Sequence, residues 1–146
     1  VMLMRAEALV ELDQMSEARE IINAIRQRAA NSISKHIGYA SDFCEISLYP
    51  ATYFQTKEMA RQCLRWERRL ELAMENGRYF DLRRWGIASK TLNDYFKSEQ
   101  MASYAGQAYA QYYSDAFYTA GKNEFYPIPY NQLYYVPGLY VQNKGY

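Results

Sequence analysis

Little in this chain of 146 residues is suited to a metal centre or a covalent framework. It has two cysteines and one histidine, and Cys44, Cys63 and His36 cannot make a four-ligand zinc site, which needs close ligand pairs. No metal and no cofactor is therefore expected. A Cys44–Cys63 disulfide is allowed by number, but Cys63 falls on an apolar helical stripe, where a buried free thiol is the commoner outcome. Charge of one sign is also missing. Seventeen Lys and Arg against sixteen Asp and Glu leave a net +1, too weak a field to gather nucleic acid or anionic lipid. Long apolar runs are absent as well, since Arg5, Glu7 and Glu11 break the opening VMLMRAEALVEL well short of the roughly 20 residues of a membrane span. That opening has no basic leader or small-residue cleavage site and starts inside a helical pattern. Any signal and lipid-bearing cysteine are thus expected upstream of Val1.

Aromatic residues are abundant. Sixteen Tyr stand beside six Phe and two Trp, and a tyrosine-rich chain can build stacking surfaces or a core with polar tips. The length suits one domain or part of one.

Helical periodicity organises the first two thirds. Ala6, Leu9 and Leu12 recur on one face over 3–12, and Asp13 and Gln14 end that pattern. Ser16 can cap a second helix, whose stripe is Ala18, Ile21, Ile22, Ile25 and Ala29, with Glu17, Arg19, Glu20, Arg26 and Arg28 outside it. The short connection predicts an antiparallel hairpin over 1–30, and Ala6, Ala8, Ala18 and Ala24 are small enough to let the axes approach. Such a pair resembles a tetratricopeptide repeat without its Trp, Tyr and Pro signposts. Between 31 and 56 the period fails and Pro50 intervenes, so a long loop is expected. Thr56 opens a third helix with the predicted stripe Met59, Cys63, Trp66, Leu70, Ala73 and Met74, stopped by Asn76-Gly77. A fourth helix carries Phe80, Leu82 and Trp85 to Gly86, and a fifth covers 89–97. Helices three and four are expected to pair, with Trp66 and Trp85 in the core.

From 98 to 146 the pattern changes. A Tyr, Ala and Gly-rich stretch precedes EFYPIPYNQLYYVPGLYVQNKGY, where Pro127, Pro129 and Pro137 exclude a continuous helix. An extended strap across the helices is expected, anchored by Tyr126, Ile128, Leu133 and Leu139.

Three ordered stretches carry a resemblance. ERRLELAMENGRYFDLRRWG, from Glu67 to Gly86, closely resembles the signature of the SusD/RagB family, ERR-x-EL-A-x-E-G followed by R-x-FDL-x-RW, with Asn76 adding one residue to the common spacing. YPIPYNQLYYVPGLYVQNKGY is similar to that family's ending, YPIP, a proline and QN-x-GY, with Lys144 where proline is frequent. LMRAEALVELDQMSEAREIINAIRQRA looks like the helical repeat that precedes the signature. The resemblance implies the all-α C-terminal portion of a lipid-anchored protein on the outside of the outer membrane. Such a protein caps a SusC-like TonB-dependent transporter and holds an oligosaccharide or peptide for import. The stretches 31–55 and 98–122 lie outside the match and are expected to vary with ligand.

Candidate sites read from the residues follow two chemistries. Glu67 and Glu71 stand one helical turn apart, and carboxylates about 5–5.5 Å apart suit a retaining glycosidase. However, Arg65, Arg68, Arg69 and Arg78 lie near them in sequence, and nearby cations keep both acids ionised instead of making one a proton donor. Two acids on one convex helix also cannot flank a sugar bond from opposite sides. A structural ion network of Glu67, Arg68, Glu71, Arg78, Asp81 and Arg84 outweighs catalysis, because a partly buried carboxylate must find an Arg or a backbone donor. Asp81 with Arg78, Arg83 and Arg84 could form an anion pocket, but no Gly-rich phosphate loop accompanies them. Tyr104, Tyr109, Tyr112, Tyr113 and Tyr118 are the candidate ligand contacts, set against the alternative that they pack under the strap. Three function classes stand at this point: the nutrient-binding lipoprotein, a tetratricopeptide-like protein-interaction module, and a glycan-cleaving enzyme.

Overall fold

The computed structural model describes residues 1–33, 46–101 and 112–146, so that His36, Cys44, Tyr104 and Tyr109, and any Cys44–Cys63 pairing, lie outside the described residues. Among the described residues the fold is all-α, with no strand. Packing divides the chain into two compact units, Val1–Asn76 and Gly77–Tyr146.

In the first unit, helices α1 (Met2–Glu11) and α2 (Met15–Ile33) form the expected hairpin. Its turn is tight because Asp13 takes a left-handed φ of 62°, Asp13 N–H donates to Val10 O and Gln14 N–H donates to Leu9 O. These bonds satisfy the last carbonyls of α1. Ser16 lies inside α2 and not at its cap, because the first turn is already closed by Ala18 N–H to Gln14 O. Ala6 and Ala18 are fully buried where the helices meet, whereas Ala8 and Ala24 are exposed and take no part in the close approach. Leu3, Leu9, Val10, Ile22 and Ile25 fill the core.

A 3-10 helix (Ala51–Phe54) interrupts the expected loop and delivers Phe54 to that core. Helix α3 (Lys57–Glu71) begins where expected, with Thr56 Oγ1 accepting from Met59 N–H at 3.2 Å. It packs on α1, α2 and the 3-10 helix. Its buried face is Ala60, Cys63, Leu64 and Glu67, so of the expected stripe only Cys63 is buried. Met59, Trp66 and Leu70 are exposed, Trp66 by 50%. Ala73 and Met74 lie beyond the helix, in a turn with left-handed Met74 (φ 67°) and Asn76 (φ 59°). Packing sets this face. Ala60 and Cys63 are small enough to bring α3 against the hairpin, and that contact turns the bulkier residues outward.

The second unit holds α4 (Arg78–Arg84), α5 (Ala88–Met101) and α6 (Tyr130–Tyr135). Here α4 packs on α5, and the expected pairing of α3 with α4 falls across the division between units. Gly86 stops α4 with φ 69°, as Gly86 N–H donates to Arg83 O and Ile87 N–H to Leu82 O. That is a Schellman ending, and Leu82 and Ile87 belong to the same apolar cluster. Helix α5 runs four residues past its expected end at Lys97. Trp85 is half-buried with the guanidiniums of Arg84 and Arg78 at 4.9 and 5.9 Å from its ring centre, so neither tryptophan is a core residue.

The tail is not a simple extended strap. It contains α6, which buries nothing, and of the expected anchors Tyr126 and Leu139 are exposed while Ile128 and Leu133 are half-buried. Pro129 sits just before α6, where its missing N–H and fixed φ cost nothing. The tail is closed by polar bonds. Gln142 Nε2 donates to Ile128 O at 3.1 Å, and its Oε1 accepts from Ile128 N–H at 2.8 Å. Asn143 Nδ2 donates to Tyr126 O, and the Tyr146 hydroxyl donates to Phe125 O. With Pro127 and Pro129 on either side, Ile128 could not join a regular ladder, and one amide side chain takes the ladder's place.

Candidate functional site

The carboxylates of α3 are engaged with α2. Glu67 is 5% exposed, and its Oε2 accepts from Arg26 Nη1 at 2.9 Å. Arg26 is also largely buried, donates through Nε to Ser47 O, and lies 4.3 Å from the Tyr49 ring centre. Glu71 accepts from Arg28. With Arg68, that pair lines a shallow cleft of about 250 Å³ at the start of α1. Of the two acids only Glu71 lines that cleft. Periodicity puts Arg26 and Arg28 outside the apolar stripe of α2, and Arg28 is exposed; for largely buried Arg26 the missed signal is Glu67, whose burial demands a cation from a neighbouring helix.

A second bolt joins α1 to α3. Arg61 Nε and Nη2 grip Glu11 at 2.8 and 2.6 Å, while Lys57 Nζ reaches Glu11 O and Asp13 Oδ2. The Arg61 hydrogen bonds hold the Glu11 carboxyl below its ordinary pKa. Near its end α1 thus receives a cation on a terminal carbonyl, the favoured sign there. In the second unit, buried Asp81 accepts from Arg84 at 2.9 Å, one turn along the same helix. Asp81, Arg84 and Arg78 therefore gather around α4 and Trp85, while Glu67, Arg68 and Glu71 gather on α3 in the first unit.

The tyrosines are dispersed. Tyr112 is exposed, and Tyr113 packs edge-on to Tyr95 and stacks on Phe96. Tyr118 is only 5% exposed and meets Tyr79 edge-on. Burial, with Tyr79 adding to it, raises the Tyr118 hydroxyl well above the ordinary tyrosine pKa. Its backbone is fixed by Asn93, which accepts from Tyr118 N–H at 2.7 Å and donates to Tyr118 O at 3.0 Å.

Beside Tyr118 lies a cleft of about 440 Å³ that the motif reading did not identify. Phe117 and Tyr126 are its most exposed rings, Phe125 and Tyr146 each carry a cation over the ring, and Asp115 and Asn123 are polar lining. The Asn123 amide oxygen accepts from Thr119 N–H, and its main-chain oxygen accepts from the Tyr79 hydroxyl. Asp115 and Phe117 also line an adjoining cleft of about 230 Å³ against α5. No group of His, Cys, Asp or Glu among the described residues could hold a metal, and no described helix is long and apolar enough to cross a membrane.

No curated protein matches the chain significantly. The SusD family profile, SusD_RagB, matches residues 1–146, the whole of the sequence, and the chain belongs to the SusD family.

Proposed function

We propose that this chain is the C-terminal helical region of a non-catalytic cell-surface protein that holds oligosaccharides, or peptides, for import through a SusC-like TonB-dependent transporter. The family match over 1–146 carries this reading. Proteins of the SusD family are nutrient and glycan binders, generally non-catalytic and typically lipoproteins of the outer membrane. On this reading the two units act as one region, and an anchor encoded upstream would fix the protein to the outer face of the membrane.

The charges fit a framework role. Glu67 and Glu71 each meet an arginine of α2, and Asp81 meets Arg84. Both acids of α3 are thus engaged by arginines of the neighbouring helix, whereas a glycosidase needs its two carboxyl groups placed to flank the scissile bond. Glu67, Arg68, Glu71, Arg78, Asp81 and Arg84 are therefore assigned to stability. Of the described tyrosine candidates, Tyr112 is the most exposed to solvent.

The test uses the full-length protein. It should bind glycans from a diverse panel, co-purify from outer membranes with a TonB-dependent transporter, and release no product from the glycans it binds. Hydrolysis abolished by Glu67→Gln would overturn the reading. So would a protein confined to the cytosol with no glycan or peptide ligand.

A further inference from the structure

We propose that the cleft beside Tyr118 is a subsite for a neutral pyranose unit of an oligosaccharide, an inference that rests on the glycan-binding reading above. At about 440 Å³ the cleft falls within the roughly 300–1,000 Å³ typical of small-ligand sites. A pyranose has a face of C–H groups and a rim of hydroxyls, so it needs flat apolar surfaces and polar partners at the edge. Phe117 and Tyr126 supply exposed rings, with Phe117 68% exposed, and Asp115 and Asn123 supply polar groups in the same lining.

Fixed walls distinguish this cleft from a loose gap between aromatic residues. The Tyr146 hydroxyl holds Phe125 O, Asn143 holds Tyr126 O, and the Gln142 amide holds both main-chain groups of Ile128. On the other side Asn93 holds both main-chain groups of Tyr118. The main chain that carries Phe125, Tyr126 and Tyr118 is therefore held before any ligand arrives, which reduces the ordering lost on binding. The family's closing QN-x-GY residues thereby become positioning residues for the cleft.

Charge selects within the sugar class. Asp115 is the carboxylate shared by this cleft and the adjoining one. The cations close by lie over rings: Lys122 over Tyr146, and Arg83 over Phe125 and Tyr79. A uronic acid would bring a second negative charge towards Asp115, whereas a neutral sugar can offer it hydroxyl donors. An extended peptide usually gains its affinity from a strand edge, and no strand exists among the described residues.

The experiment is titration calorimetry on the full-length protein with neutral and uronic-acid oligosaccharide panels. Wild type should bind a neutral oligosaccharide in preference to the acidic ones. Phe117→Ala and Asp115→Asn should each weaken that binding by about ten-fold or more, and Asp115→Asn should narrow the discrimination against acidic sugars. Tyr126→Ala, at another exposed ring, should weaken binding similarly and replaces Phe117→Ala if that variant melts early. Unchanged affinity in all three folded variants would place the sugar elsewhere, overturning this inference and leaving the glycan-binding reading standing. A wild type that binds peptides or nothing would overturn both, and a preference for acidic sugars would overturn the assignment of charge.

Discussion

Arg26 ties three groups together. Its guanidinium answers the Glu67 carboxylate, the Ser47 carbonyl and the Tyr49 ring together, and so fastens α3 and the 46–50 segment to α2. Removing one partner of a buried pair strands the other. Glu67→Gln should therefore lower unfolding stability by about 3 kcal/mol in urea denaturation, and Arg26→Lys should also be destabilising because an ammonium lacks the planar fork. A Glu67→Gln protein as stable as wild type would remove the framework role. Glu67 was legible as a carboxylate needing a donor, but its partner was not. Sequence neighbours such as Arg68 point to other sides of the helix, and the residue that meets Glu67 lies 41 positions upstream. Cys63 was legible as a buried thiol. Burial raises its pKa, and its Sγ lies 3.9 Å from Tyr53 O. It should resist iodoacetamide in the native protein at neutral pH and react fully in urea, as peptide mass spectrometry would show.

Among elements, ends marked by local chemistry were legible, whereas those placed at Ser16, Asn76 and Lys97 fell elsewhere. Thr56, Asp13 and Gly86 mark helix boundaries through local chemistry, a hydroxyl cap and two left-handed residues, and local chemistry is written in neighbouring letters. Gly86→Ala should cost about 1 kcal/mol through its positive φ alone, since nothing lies within 4 Å of an added Cβ. Thermal melting would measure it, and an unchanged midpoint would contradict the strain. The buried face of α3 was misplaced by one residue, about 100° of rotation. A search for large apolar side chains favours Met59, Trp66 and Leu70, whereas close packing selected Ala60, Cys63 and Leu64. The amide clamps were also invisible. Asn23 on Tyr49, Asn93 on Tyr118 and Gln142 on Ile128 each satisfy both main-chain groups of one non-helical residue. Asn93→Ala would orphan two main-chain groups and should cost about 2 kcal/mol by denaturant titration, with a smaller loss arguing that water replaces the amide.

For the whole molecule, family and helical class were legible because they rest on ordered motifs and long periodic segments. The irregular tail was less so. Three prolines announce what it cannot be, and the side chains that shape it act over 14 to 21 residues. Charge balance sets the response to acid. Arg61 lowers the Glu11 pKa and Lys90 lowers that of Asp94, so both acids bind protons more weakly in the folded chain than in the unfolded one. Their contribution is complete above the ordinary carboxylate range and is lost as pH falls through the folded values. Protonating the sixteen acids would also leave seventeen Lys and Arg and His36 uncompensated. The melting temperature should hold steady near neutrality and drop below about pH 4, and scanning calorimetry at several pH values would show whether it does.

Gln142 closes the tail with one donor and one acceptor, and this makes it a chemical clock. Hydrolysis of its amide during storage would leave a carboxylate, which still accepts from Ile128 N–H but repels Ile128 O. Such a change should loosen Ile128 while the helices stay intact, since Phe125 O and Tyr126 O are held separately by Tyr146 and Asn143.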